Sequence, residues 1–137
     1  MSLRDDYLMR LIEQLVQVIA RMTGLNLRKD YKASIEMAER AWDELDVPHE
    51  LVDRLDGPEL AKLLRDPAKI RLAAQLLTEE ATALAGSGDP LHATLRRKRA
   101  YQLYAAAHAL DPQDTDDEAM TRIAVQLPPG ELGTLRP

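Results

Sequence analysis

Between Leu8 and Met22 the only polar side chains are Arg10, Glu13, Gln14, Gln17 and Arg21. Spacings of three and four put all five on one narrow stripe of a helix, since one turn takes 3.6 residues. Leu8, Met9, Leu11, Ile12, Leu15, Val16, Val18, Ile19 and Met22 fill the rest of the circumference. A surface helix ordinarily shows the reverse proportion. The pattern predicts a helix from about Asp5 to Met22, capped by Ser2 or Asp5 and closed by Gly24 in the left-handed conformation. Its apolar face is wide enough to need more than one neighbour.

Further along, Tyr31, Ile35, Ala38, Trp42 and Leu45 recur at four and three and predict a peripheral helix over 28–45 with a charged outer face. Pro48 ends it, because proline disfavours helical geometry in the residue before it. Short helical pieces follow over 48–55 and 58–65, separated by the break Asp56-Gly57-Pro58. Asp66-Pro67 reads as a cap followed by proline in the first turn, opening a helix to Ala85. In that helix Arg71, Gln75, Thr78, Glu79 and Thr82 form the polar stripe. Gly86-Ser87-Gly88 is a flexible joint, and Asp89-Pro90 repeats the cap signal for a helix to Leu110. From Ala100 onward this helix carries so few polar residues that its second half is expected to be nearly surrounded by other helices. Thr115 and Glu118 have capping-box spacing for a last helix to Leu127, and residues 128–137 read as a loose tail.

Composition agrees with helices. There are 23 Leu and 19 Ala against 5 Val, 5 Ile and 7 Thr, and leucine and alanine are among the best helix formers while β-branched residues favour strands. With no Phe and one Trp, the core must be built from Leu, Ala, Ile and Met. A chain of 137 residues suits one domain. The expected fold is a compact all-α bundle of five to seven helices occupying 1–127. The absence of cysteine excludes disulfides, thiol catalysis and thiolate metal sites. A net charge of −5 favours solubility and argues against nucleic acid and anionic membranes as partners. The opening carries Asp5 and Asp6 where a secretion signal is basic, and no apolar run reaches the roughly 20 residues that span a bilayer. The expected location is the cytoplasm.

Two resemblances add to this. Ala100, Tyr104, Ala107 and Pro112 match the spacing of the second helix of a tetratricopeptide repeat. That likeness implies tetratricopeptide-like helical hairpin packing in the C-terminal half. Gly86-Ser87-Gly88 falls where the first helix of the repeat belongs, and no second copy follows at about 34 residues. The opening Asp6-Tyr7-Leu8-Met9-Arg10-Leu11-Ile12-Glu13-Gln14-Leu15 resembles the start of a family of small uncharacterised bacterial helical proteins. It implies a bacterial, cytoplasmic source and carries no activity with it.

No catalytic constellation stands out. His49, His92 and His108 are not paired at helical spacing, and HExxH is absent, so a metal site is not expected. Glu36, Glu39, Glu79, Glu80, Asp116, Asp117 and Glu118 are read as solvated helix faces. The run Arg96-Arg97-Lys98-Arg99 could bind phosphate, RNA or an acidic partner. Four consecutive helical residues point all round the axis, however, so pairing with nearby acids is the favoured reading. Tyr101, Tyr104 and His108 lie on one helix and could line a small-ligand or enzyme pocket. The expected function is that of a non-enzymatic interaction protein without cofactor. Its surface would be the first helix, through Leu8, Leu11, Ile12, Leu15 and Ile19, and its partner a second copy, as a homodimer, or another protein.

Overall fold

A computed structural model describes residues 3–131 and builds them into seven helices: α1 (Leu3–Leu27), α2 (Tyr31–Glu44), α3 (His49–Arg54), α4 (Gly57–Leu64), α5 (Pro67–Gly86), α6 (Pro90–Leu110) and α7 (Asp114–Gln126). No strand occurs among the described residues, as the composition predicts. α5 is the central helix. It packs against α6 across the largest interface in the molecule and also against α1, α2 and α4, while α7 covers α6 from the other side. Ile70, Ala73, Ala74, Leu76, Leu77, Ala81 and Ala83 of α5 are fully enclosed. On α6, Ala93, Ala100 and Ala107 repeat every seven residues and are equally enclosed. Their methyl groups let the α5 backbone approach closely, in the way small residues at a repeating seam permit. Trp42 of α2 is the largest fully buried side chain and fills the space over α5.

Local chemistry places the helix ends. Asp66 accepts hydrogen bonds from the N–H groups of Ala68 at 2.8 Å and Lys69 at 3.2 Å, and Asp89 accepts from His92 N–H at 3.2 Å. Both are the predicted cap-plus-proline starts. The Asp56-Gly57-Pro58 break is also a start: Asp56 accepts from Glu59 N–H at 2.8 Å, and the Glu59 carboxylate accepts from Asp56 N–H at 3.2 Å. This reciprocal box satisfies two donors that the helix leaves free. Gly57 is required there, because a Cβ would sit 2.1 Å from Cβ of Gln102 on α6.

Four expectations are corrected. α1 does not close at Gly24 but runs to Leu27, because Asn26 is buried and its Nδ2 donates to the Glu79 carbonyl at 3.0 Å and to Glu79 Oε2 at 2.9 Å. The left-handed residue is Lys29, at φ 62°. Asp30 N–H then reaches Leu25 O at 2.8 Å and Lys29 N–H reaches Asn26 O at 3.0 Å, the paired bonds of a Schellman ending. Asp5 lies inside α1 rather than at its cap, and Ser2 lies outside the described residues. Thr115 lies inside α7, whose N-cap Gln113 makes no side-chain cap bond. Asp114, Asp116 and Asp117 in the first turn complement the positive helix end instead. Finally, the second half of α6 lies between α5 and α7 but is not surrounded: Ala105, Ala109 and Leu110 face solvent. Alanine there reflects helix propensity, not burial. Of the tail, Glu131 is bound to Lys98 at 3.0 Å, and 132–137 lie outside the described residues.

Candidate functional site

α1 is clamped between α2 and α5, which consumes only part of its apolar surface. Leu11, Leu15 and Met22 point into the core. Leu8, Ile12 and Ile19 are half-buried at its margin. Beyond them, Met9 is 55% exposed, Val16 51% and Leu27 81%. Thus two of the five residues expected to form an interaction surface, Leu11 and Leu15, are core, and three are its edge. Met9, Val16, the small Ala20 and Leu27 are uncovered and follow one another at seven, four and seven, on one side of α1; Leu3 and Tyr7 in its first turns are exposed as well. Ile12 and Ile19 next to the stripe pack on the core, and Thr23 Oγ1 donates to Glu79 Oε1 of α5 at 2.9 Å. From Met9 to Leu27 the stripe runs roughly 27 Å along the helix.

The interior holds two charged clusters. In the first, Glu80 of α5 is 1% exposed and Arg96 of α6 is 4% exposed. Arg96 Nε donates to Glu80 Oε1 at 3.0 Å, and Arg96 Nη1 is paired with Asp53 of α3. His49 Nε2 lies 2.9 Å from Glu80 Oε2, and Trp42 Nε1 donates to Glu80 Oε1 at 3.4 Å. One carboxylate therefore ties α2, α3 and α6 to the central helix. The hydrogen bond to Glu80 raises the His49 pKa, against the opposing effect of burial. Burial lowers the Arg96 pKa to about 10, with the charge of Arg99 contributing, so it stays charged at neutral pH. With its oxygens taken by indole, guanidinium and imidazole, Glu80 is a structural hub and not a free general base.

In the second cluster, Arg71 of α5 grips Asp116 of α7 with two bonds, from Nε to Oδ1 and from Nη2 to Oδ2, each 2.8 Å. Arg71 Nη2 also donates to the Asp111 carbonyl, and His108 Nδ1 lies 3.1 Å from Asp116 Oδ2. Asp116 is 1% exposed. The Arg71 bonds, and the one to His108, hold its pKa below the usual carboxylate value. Glu80 and Asp116 are thus corrections to the solvated-face reading of the acids. For Glu80 a signal existed: it follows Leu77 by three and Ala73 by seven, on the inward face of α5. Asp116 carried the same one: it precedes Ala119 by three and Ile123 by seven, on the inward face of α7.

The basic turn is dispersed. Arg96 faces the core, Arg99 Nε donates to the Leu55 carbonyl at 2.7 Å, and Lys98 meets Glu131 at 3.0 Å. Arg97 is half-buried, its pKa lowered by burial. The four do not form a common anion patch. Tyr101, Tyr104 and His108 do not meet in one pocket either. Tyr104 is buried, its hydroxyl pKa raised to about 12 by burial, and His108 belongs to the Asp116 cluster. Tyr101 lines a shallow hollow against Met120 and Val125 of α7. Among the described residues there is no group of His, Cys, Asp and Glu able to hold a metal ion, and no helix is long and apolar enough to cross a membrane. No family model, no curated protein and no solved structure matches the chain.

Proposed function

We propose that this chain is a non-enzymatic interaction protein that self-associates through α1, copy against copy. The observation that carries the reading is the exposed stripe of Met9, Val16 and Leu27 beside a helix already packed on its other face. An exposed apolar strip along one side of a helix fits a second helix better than it fits a small molecule. The stripe is narrow, so the contact is weak and reversible on dilution.

The chain has no cysteine, so single introduced thiols can report the contact. Gln17→Cys, at the solvent edge of the stripe, is expected to give a covalent dimer with a short bismaleimide. Thr121→Cys on α7 is expected to stay monomeric. Equal cross-linking at the two positions, or none at Gln17→Cys, refutes the proposal.

A further inference from the structure

A cleft of about 720 Å³ lies between α1 and α2, on the flank of α1 next to the Met9–Val16 stripe, with which it shares Ala20. Its volume falls in the range of small-ligand sites. Val18, Leu25 and Met37 give it an apolar lining, and Arg21, Arg28 and Arg40 stand around it. Arg21 and Arg28 are seven residues apart on α1, hence on one side and roughly 10 Å apart along the axis. Arg40 comes from α2. None of the three guanidinium groups makes a hydrogen bond or ion pair among the described residues. Arg40 has Glu36 and Glu44 at four residues on either side, the spacing at which helical ion pairs form, and pairs with neither. Glu44 is the single acid on the cleft. A cleft at the start of α1 is different: Arg4, Arg65 and Lys69 are balanced there by Asp5, Asp46 and Asp66. In a chain of net charge −5, this cleft carries surplus positive charge.

Gly24 opens the middle of the cleft. A Cβ there would meet nothing closer than Arg28 Nη1 at 3.9 Å, so neither crowding nor backbone conformation requires glycine. In a helix interior glycine costs about 1 kcal/mol relative to alanine, and its effect here is empty volume between the arginines. We propose that the α1–α2 cleft binds a small amphiphilic anion, a carboxylate or phosphate monoester on an apolar chain. The arginines receive the anionic head, for which guanidinium groups are well shaped, and Val18, Leu25 and Met37 receive the chain.

The test uses the full chain, two-dimensional amide NMR, and decanoate and decyl phosphate below their micelle-forming concentrations. Shifts confined to α1 and α2 are expected with both, and none with decyltrimethylammonium. Replacing Arg21, Arg28 and Arg40 together by glutamine is expected to weaken binding by at least about tenfold. Gly24→Leu fills the cleft with a better helix former, and is expected to abolish binding while keeping the melting temperature at or above that of the parent. Equal binding of the cationic amphiphile overturns the proposal, as does unchanged affinity in Gly24→Leu. Binding to phosphatidylglycerol vesicles with no response to either soluble anion overturns it as well, since the surface would then recognise a membrane and not a single molecule.

Discussion

Replacing Arg96 by methionine removes a charge from the interior and keeps most of the aliphatic stem that packs α6 on α5. Arg96 is 4% exposed and Glu80 1%, so the variant leaves a buried carboxylate without its guanidinium partner. Breaking a buried pair on one side costs about 3–5 kcal/mol. Glu80 keeps His49 at 2.9 Å and Trp42 at 3.4 Å, which places the loss near the lower end, about 3 kcal/mol. For 137 residues, an unfolding entropy of roughly 2.1 cal/mol/K per residue makes that loss about 10 °C in melting temperature. Thermal melts followed by circular dichroism, with urea titrations for the free energy, measure it. The double variant Arg96→Met with Glu80→Leu removes both charges and is expected to recover much of the loss, because apolar replacements of whole buried pairs are often neutral. An Arg96→Met variant within about 1 kcal/mol of the parent refutes the hub, and so does a double variant whose loss is the sum of the two single ones.

His49 makes the same hub pH-dependent. Its folded pKa lies above the ordinary 6.5, so its contribution is complete below that value and is lost as pH rises through the raised one. Urea unfolding at about pH 6 and about pH 9 should show the parent losing stability across this interval and His49→Gln losing less. Gly57→Ala drives a Cβ toward Gln102 Cβ, 2.1 Å away; a loss of about 1–3 kcal/mol is expected in urea, as for other overpacked sites. Arg65 sits at φ 68° and ψ −52°, with Asp66 N–H bonded to Leu64 O at 2.8 Å, a tight three-residue turn that strains an L side chain. Arg65→Gly is expected to stabilise by about 1 kcal/mol, the strain relieved less the entropy of glycine, read as a melting temperature higher by about 3 °C.

The helices and their aspartate–proline starts were legible because they are written in local spacing. Asp66-Pro67 and Asp89-Pro90 each begin a helix where the pattern places it, and Trp42, Ala38 and Leu45 face inward as their spacing requires. What escaped were features settled by contacts distant in sequence. Nothing near Gly24 says that α1 continues until Asn26 meets Glu79, 53 residues away. The basic turn reads as one patch in sequence. In the fold its members are claimed by Glu80, Leu55 and Glu131, two of them more than thirty residues distant. Leu11 and Leu15 are core because α5 packs there, and the same docking leaves Met9 and Val16 as the exposed remainder of the apolar excess. Which side of a wide apolar face is covered depends on the neighbours' positions, and periodicity holds no record of those.

The central claim is that the exposed stripe of α1 joins two copies. The most direct test is solution mass by size-exclusion chromatography with light scattering over a range of concentrations, on the parent and on Met9→Glu with Val16→Glu. Both sites are about half exposed, so the charges leave the core intact and the helical circular dichroism should be unchanged. A dimer that dissociates on dilution is expected for the parent, and a monomer at every concentration for the variant. A parent that remains monomeric throughout, or a variant that dimerises as well as the parent, contradicts it.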